Sequence, residues 1–308
     1  MAKIIIFTDL DGTLLDHSTY SYDAARPALT KAKETNTPII PVTSKTFAEN
    51  EAILKEIGLW KSAPVVVENG GAIYIPKNYF SFDVNEELPH FAKASWDDFY
   101  EIKLGKPYEE VRAIMKEAAE TAGLEIRAIG DMSAEEFQRE VNFETIEEAH
   151  RAQEREYQEG FKILVPKEQM KEAQAKIKAE IEKRGFFMSI GGRFCQIMGS
   201  KLARQNRSTS RERIVQKRQV LKLGGAKIRS VEILTQLLRK KFGDIHTIGL
   251  GDAQTDIEFC EHCDEGFIVK NPKKTVGAEV ESDKIHLIEE EGPTGWNKAV
   301  LEVLKNQD

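Results

Sequence analysis

Five short apolar runs recur along the chain, and each ends abruptly in polar residues. Residues 4–7 (Ile-Ile-Ile-Phe) run into Asp9 and Asp11, and residues 39–42 into Thr43-Ser44-Lys45. Val65-Val66-Val67 precedes Glu68-Asn69-Gly70-Gly71, residues 245–250 precede Gly251-Asp252, and residues 267–269 precede Lys270-Asn271-Pro272. Runs this short, apolar throughout except for His246 and Thr247 in the fourth, read as strands buried on both faces. Segments of helical period separate them: 24–35, with Pro27 in the first turn; 47–57, with Phe47, Ile53, Leu54 and Ile57 on one stripe; and 232–241. The alternation predicts an α/β fold, a doubly wound and mostly parallel sheet with right-handed crossovers.

The pattern changes between residues 85 and 198. Strand signals shorten and Glu and Lys become frequent. Residues 107–122 are helical in period, 124–129 strand-like, and Ser133 with Glu136 forms a capping box ahead of another helix. Residues 162–165, 186–190 and 194–198 read as strands, and 167–184 as a long polar helix. The expected organisation is a core of residues 1–84 and 220–308, an inserted α+β unit at 85–199, and a flexible loop at 200–225.

Composition narrows the class. The 308 residues are 41% hydrophobic and 31% charged, the composition of a soluble globular chain. No apolar run approaches the length of a membrane span. The chain enters its first strand without a secretory signal, and three cysteines suit a reducing cytoplasm. The net charge of −7 argues against a general nucleic-acid partner. Residues 199–229 nonetheless hold ten Lys or Arg against the single acid Glu212. That window is either a solvated basic loop or a site for an anionic partner. No aromatic residue interleaves it, so base stacking has no support.

Carboxylates at the carboxyl ends of parallel strands lie where open α/β sheets place their chemistry. Asp9 and Asp11, then Thr43, then a lysine, then Asp252 and Asp256 compose a phosphoryl-transfer site. Asp9 is the expected nucleophile and Asp11 the acid and base. Thr43 would bond a phosphoryl oxygen, and the lysine would neutralise the transferring group. Asp9, Asp11 (through its carbonyl), Asp252 and Asp256 are candidate ligands for Mg2+, a hard cation that takes oxygen donors. Gly12 permits a sharp turn after the strand.

Asp9-Leu10-Asp11-Gly12-Thr13-Leu14-Leu15, Thr43 and Gly251-Asp252-Ala253-Gln254-Thr255-Asp256 together resemble the haloacid dehalogenase superfamily of phosphatases. The inserted unit resembles that family's C2-type cap, which closes over the site and selects substrate. Val42-Thr43-Ser44-Lys45-Thr46, Glu68-Asn69-Gly70-Gly71, Arg155-Glu156-Tyr157, Gly191-Gly192-Arg193-Phe194 and Gly292-Pro293-Thr294-Gly295-Trp296 narrow it to a likeness to mannosyl-3-phosphoglycerate phosphatases. The resemblance implies hydrolysis of a phosphorylated sugar, mannosyl-3-phosphoglycerate, to mannosylglycerate. The alternatives are glucosyl-3-phosphoglycerate, sucrose phosphate or trehalose phosphate as substrate, or a non-catalytic anion-binding protein on the same scaffold.

A planar guanidinium such as Arg193 could clamp the glycerate carboxylate, and Glu156 could hold sugar hydroxyls. An ordinary ion pair between the two is the bland alternative. Ser44 and Lys45 stand where a helix N-terminus receives an anion, or are ordinary helix-start residues. Asn69 and Gly70 either touch substrate or form a tight hairpin turn. The family carries its catalytic lysine in an Asp-Lys-Gly-Lys stretch that this chain lacks. Counting back from Gly251-Asp252 puts Lys227 at that position; counting forward from Gly199 puts Lys201 there. Lys227 is preferred because the following helix would aim it at the site. Cys260-Glu261-His262-Cys263 lacks the second ligand pair that a zinc site needs, and is read as structural.

Overall fold

The computed structural model describes residues 2–88, 92–95, 98–190, 194–199, 224–272 and 282–305. Elements are numbered in chain order. Strands β1 (Lys3–Thr8), β2 (Ile39–Pro41), β11 (Ile245–Gly251), β12 (Glu265–Lys270) and β13 (Ile285–Glu291) form one sheet, ordered β13-β12-β11-β1-β2. Every pairing in it is parallel. Helices α1 (Arg26–Glu34) and α10 (Thr294–Leu304) cover one face, and α8 (Gly224–Phe242) and α9 (Gln254–Cys260) the other. Successive residues of β1 serve opposite faces. Ile4 and Ile6 pack with Ala28 and Trp296, while Ile5 and Phe7 pack with Leu234 and Phe259. That two-sided burial is why the opening run carries no polar alternation.

Helix α2 (Phe47–Ile57) follows β2, started by a reciprocal Thr46–Glu49 capping box and ended by Gly58 in the left-handed conformation. Of its expected stripe Leu54 is buried, and Phe47, Ile53 and Ile57 are partly so.

A second sheet, β3-β4-β6-β5, is antiparallel: β3 (Val65–Val67), β4 (Ala72–Pro76), β5 (Ala92–Ser95) and β6 (Phe99–Lys103). A parallel Val42–Val66 bridge joins it to the edge of the first. Short helix α3 (Val84–Glu87) precedes β5. β5 and β6 fall within the stretch expected for the inserted unit, yet they extend the hairpin begun by β3 and β4. Ile102 and Leu104 join the same apolar cluster as Phe7 and Ile40.

The third sheet, β7-β8-β10-β9, comprises β7 (Ile126–Ala128), β8 (Gln158–Ile163), β9 (Phe186–Ile190) and β10 (Cys195–Gly199). Helices α4 (Tyr108–Ala122) and α7 (Met170–Lys183) pack on one face through Val111, Met115, Ile177 and Ile181. A helical pair, α5 (Ala134–Val141) and α6 (Ile146–Gln153), forms a smaller cluster with Ile129 and Phe194. The Ser133–Glu136 capping box is present at the start of α5.

Three boundaries differ from the sequence reading. The strand expected at 162–165 runs from Gln158 to Ile163. Its buried Gln158 and Glu159 are polar, so no apolar run marks its start. The strand expected at 124–129 is confined to Ile126–Ala128, followed by a 3-10 turn at Ile129–Asp131. The helix expected at 232–241 begins at Gly224, so two glycines that read as loop open a helix instead. The remainder of the 200–225 segment lies outside the described residues. Among those described, no helix is long and apolar enough to cross a membrane.

Candidate active site

Strands β1 and β11 are neighbours in register, Thr8 beside Leu250, so the residues just beyond them meet. The Asp9 backbone N–H donates to the Leu250 carbonyl at 2.9 Å. Asp9, Asp252 and Asp256 are all buried and bring carboxylate oxygens within 4.8 Å of one another. Thr13 donates to Asp252 Oδ1 at 3.5 Å and Asn271 donates to its Oδ2 at 2.6 Å. Asp256 accepts from the backbone N–H groups of Asp252 and Ala253, at 3.3 and 3.1 Å. A Cβ on residue 12 would lie 2.5 Å from Asp252 Oδ2, so the Asp252 carboxylate needs a glycine beside it.

Lys227, in the opening turn of α8, is 3% exposed. Its Nζ lies 3.1 Å from Asp9 Oδ1 and 2.7 Å from Asp256 Oδ1. Burial alone would lower its pKa, and the Asp256 and Asp9 carboxylates more than offset this, so the ammonium form is held. Burial raises Asp9 well above the ordinary carboxylate range; Lys227 opposes the shift, and Asp256 and Asp252 reinforce it. Burial and Asp256 push Asp252 up to about 7, against Lys227 and Asn271. Three buried carboxylates around one ammonium leave surplus negative charge. Their donor set is oxygen alone, which fits a hard divalent cation. Among the described residues, this is the one group of three or more acidic, His or Cys side chains close enough to share a metal.

The Asp11 side chain stands apart from that cluster. Its Oδ2 lies 3.0 Å from Lys45 Nζ, and among the described residues its buried Oδ1 has no hydrogen-bond partner. Lys45, expected at a substrate anion, is also 3.7 Å from Glu49 and stacks its ammonium 5.0 Å from the Tyr20 ring centroid. Burial would lower the Lys45 pKa, and Asp11 and Glu49 hold it above the ordinary lysine value. Thr43 is buried, and its Oγ1 accepts from the Lys45 backbone N–H at 3.2 Å.

Asn69 lies in a 3-10 turn between the antiparallel β3 and β4. Its Nδ2 donates to Gln158 at 2.8 Å and Gln196 at 3.0 Å, both from the third sheet. Gln158 in turn donates to the Ser44 carbonyl. Buried Glu68 accepts the backbone N–H groups of Glu156, Tyr157 and Gln158. Burial pushes the Glu68 carboxyl up to about 7, against Arg155 and those three donors. Burial and Glu101 raise Glu156. A Cβ on Gly70 would sit 2.4 Å from the Ala226 carbonyl, so the β3–β4 turn abuts the start of α8.

Arg193 and Lys201 lie outside the described residues. Cys260 and Cys263 are buried, and the Cys263 thiol donates to the Phe259 carbonyl at 3.5 Å. Sequence reasoning alone does not single out Asn271 as a site residue. Its position just beyond β12, the neighbour of β11, is the signal that could mark it.

A family model for haloacid dehalogenase-like hydrolases matches residues 6–282. A glucosyl-3-phosphoglycerate/mannosyl-3-phosphoglycerate phosphatase of Methanococcoides burtonii is 34% identical over 304 residues, 98% of this chain and 97% of that protein. Its namesake from Persephonella marina is 31% identical over 302 residues, again 98% and 97% of the two chains. A mannosyl-3-phosphoglycerate phosphatase of Pyrococcus horikoshii is 28% identical, covering 90% of this chain and 95% of its own. In fold, the chain is similar to a haloacid dehalogenase-like hydrolase of Bacteroides thetaiotaomicron, with TM-score 0.59, 15% identity, and 98% and 100% of the two chains covered. It is also similar to the sucrose-phosphatase of Synechocystis, with TM-score 0.56, 12% identity, and 99% of each chain covered. The family model spans the carboxylates after β1 and those after β11 alike: the chain belongs to the haloacid dehalogenase-like hydrolase family.

Proposed function

We propose that the chain is a phosphatase that releases phosphate from mannosyl-3-phosphoglycerate and its gluco counterpart, through an aspartyl-phosphate on Asp9. The observation that carries this reading is the contact of Lys227 with Asp9 beside the Asp252–Asp256 pair. The relatives' names supply the substrate, and two of them name both sugars.

Asp9 attacks phosphorus while Lys227 offsets charge on the nucleophile and the transferring group. Thr43 accepts from the Lys45 backbone, which leaves its own hydroxyl proton for a phosphoryl oxygen. Asp11 protonates the departing alcohol and then takes a proton from the attacking water. Asp9, Asp252 and Asp256, with the main chain at Asp11, would hold Mg2+. When bound, the cation neutralises charge on the phosphoryl oxygens. Thr13 and Asn271 orient Asp252. Asn69 is engaged by Gln158 and Gln196, so its part is to hold the third sheet over the site.

The third-sheet unit is the cap, and its junctions are Lys106 and Gly199, whose main chains are bonded at 2.7 Å. Glu156 is its candidate contact for the sugar. A cytoplasmic setting belongs to the same reading, since Cys195, Cys260 and Cys263 are buried and in no disulfide.

The test is phosphate release from mannosyl-3-phosphoglycerate, glucosyl-3-phosphoglycerate, sucrose phosphate and trehalose phosphate, with Asp9→Asn and Lys227→Ala beside the parent. Preference for the two glycerate esters, and loss of turnover in both variants, is expected. An active Asp9→Asn protein would end the nucleophile assignment. Preference for sucrose or trehalose phosphate would end the substrate assignment.

A further inference from the structure

A buried lysine is bound to one oxygen of Asp11 while the other oxygen is buried without a partner. Lys45 is 7% exposed, and its Nζ meets Asp11 Oδ2 at 3.0 Å. The second oxygen, Oδ1, lacks a hydrogen-bond partner among the described residues. A buried polar atom left unpaired costs stability. Such an atom calls for an explanation, and a catalytic role is one.

We propose that Lys45 is a positioning residue for proton transfer: by holding Asp11 Oδ2, it makes Oδ1 the atom that gives a proton to the departing alcohol and receives one from water. The inference rests on the phosphatase reading and deepens it. An ammonium has donors and no acceptor lone pair. An Asp11 oxygen facing it serves best as the unprotonated acceptor, which favours the acid proton on Oδ1. In the first step a bond forms between an Asp9 oxygen and phosphorus, the bond from phosphorus to the ester oxygen breaks, and the proton on Oδ1 moves to that oxygen. A neutral alcohol leaves and Asp11 remains a carboxylate facing Lys45. In the second step water attacks phosphorus, its proton goes to Oδ1, and Asp9 is released with inorganic phosphate.

Lys45 is itself held on several sides. Glu49 lies 3.7 Å from its ammonium, in the first turn of the helix that Thr46 caps, and the Tyr20 ring covers it at 5.0 Å. Its main chain is pinned by the bond from its N–H to Thr43 Oγ1. One segment thus sets both the phosphate-binding hydroxyl and the group that aims the acid.

The experiment compares two leaving groups. An alkyl ester, mannosyl-3-phosphoglycerate, departs as an alcohol that needs a proton. p-Nitrophenyl phosphate departs as a stable phenolate that does not. In Lys45→Met the ratio of kcat on the alkyl ester to kcat on the aryl ester falls by roughly 10- to 100-fold, a sizeable part of what a general acid contributes. The ratio is taken within one protein sample, so incomplete folding cancels. Lys45→Arg, which keeps a cationic donor, restores most of it. An unchanged ratio in Lys45→Met, or a loss confined to KM for the sugar ester with kcat intact, overturns the proposal. A parent protein inactive on both esters would instead remove the phosphatase reading, and this inference with it.

Discussion

Replacing Gly70 with alanine tests whether the β3–β4 turn sets the position of Lys227. Gly70 has φ +93°, and a Cβ there would lie 2.4 Å from the carbonyl carbon and oxygen of Ala226 and 2.8 Å from the Lys227 nitrogen. Ordinary contact between such atoms begins at about 3.5 Å. The neighbour is backbone, so the opening of α8 must retreat by roughly 1 Å. Lys227 Nζ sits 3.1 Å from Asp9, and a displacement of that size breaks the contact. A misplacement of about 1 Å at a catalytic group costs on the order of 100-fold in rate. The left-handed backbone adds about 1–2 kcal/mol of instability for a residue with a Cβ. Gly58 separates the two effects: its φ is +80°, and a Cβ there would meet nothing within 4 Å. Gly58→Ala therefore carries the backbone cost without the clash. Thermal unfolding and kcat/KM for phosphate release are measured on both variants. Both lose stability, Gly70→Ala the more because of its clash, and Gly70→Ala alone loses activity by about 100-fold. Activity in Gly70→Ala equal to that of Gly58→Ala would refute the argument that this turn holds the lysine.

Two further outcomes are expected. Burial holds the Glu68 carboxyl near 7 against an ordinary 4.5, so its contribution to stability is complete below pH 4.5 and is lost as pH rises through 7. Glu68→Gln cannot titrate, so urea midpoints from pH 4.5 to 8 should show the variant gaining on the parent by about 3 kcal/mol; a trend of opposite sign would mean that the three backbone donors outweigh burial. Asn271→Ala frees Asp252 Oδ2 from its 2.6 Å partner. Metal titration of the variant should show affinity weakened roughly 10- to 100-fold, and unchanged affinity would remove Asn271 from the site.

The parallel core was legible because its strands are buried on both faces. Residues 4–7 and 65–67 contain nothing polar, and β1 sends Ile4 and Ile6 to one helical layer and Ile5 and Phe7 to the other. The acids after β1 and β11 were legible for a related reason: each is polar where an apolar run stops. The start of β8 was hidden because Gln158 and Glu159 are buried through partners remote in sequence. Gln158 meets Asn69 and Ser44, and Glu159 meets Tyr108 and Arg112. The pairing of β5 and β6 with β4 was hidden because nothing local separates a strand that extends a hairpin from one that opens a new unit. The beginning of α8 was hidden because Gly224 and Gly225 are poor helix formers; their neighbour Ala226 meets the turn at Gly70.

That turn joins parts of the molecule that sequence alone treats separately. Glu68, Asn69 and Gly70 have consecutive positive φ values of 47°, 56° and 93°. For the first two residues such conformations cost about 1–3 kcal/mol each and persist only where surroundings over-determine them. Here the surroundings are identifiable. Glu68 takes three backbone N–H groups at the start of β8, Asn69 takes Gln158 and Gln196, and Gly70 admits the main chain just before Lys227. Relaxing the turn would release the third sheet and let the lysine drift from Asp9. The seating of the third sheet and the placement of Lys227 are therefore one structural variable. The turn, strained at Glu68 and Asn69, is the link between them.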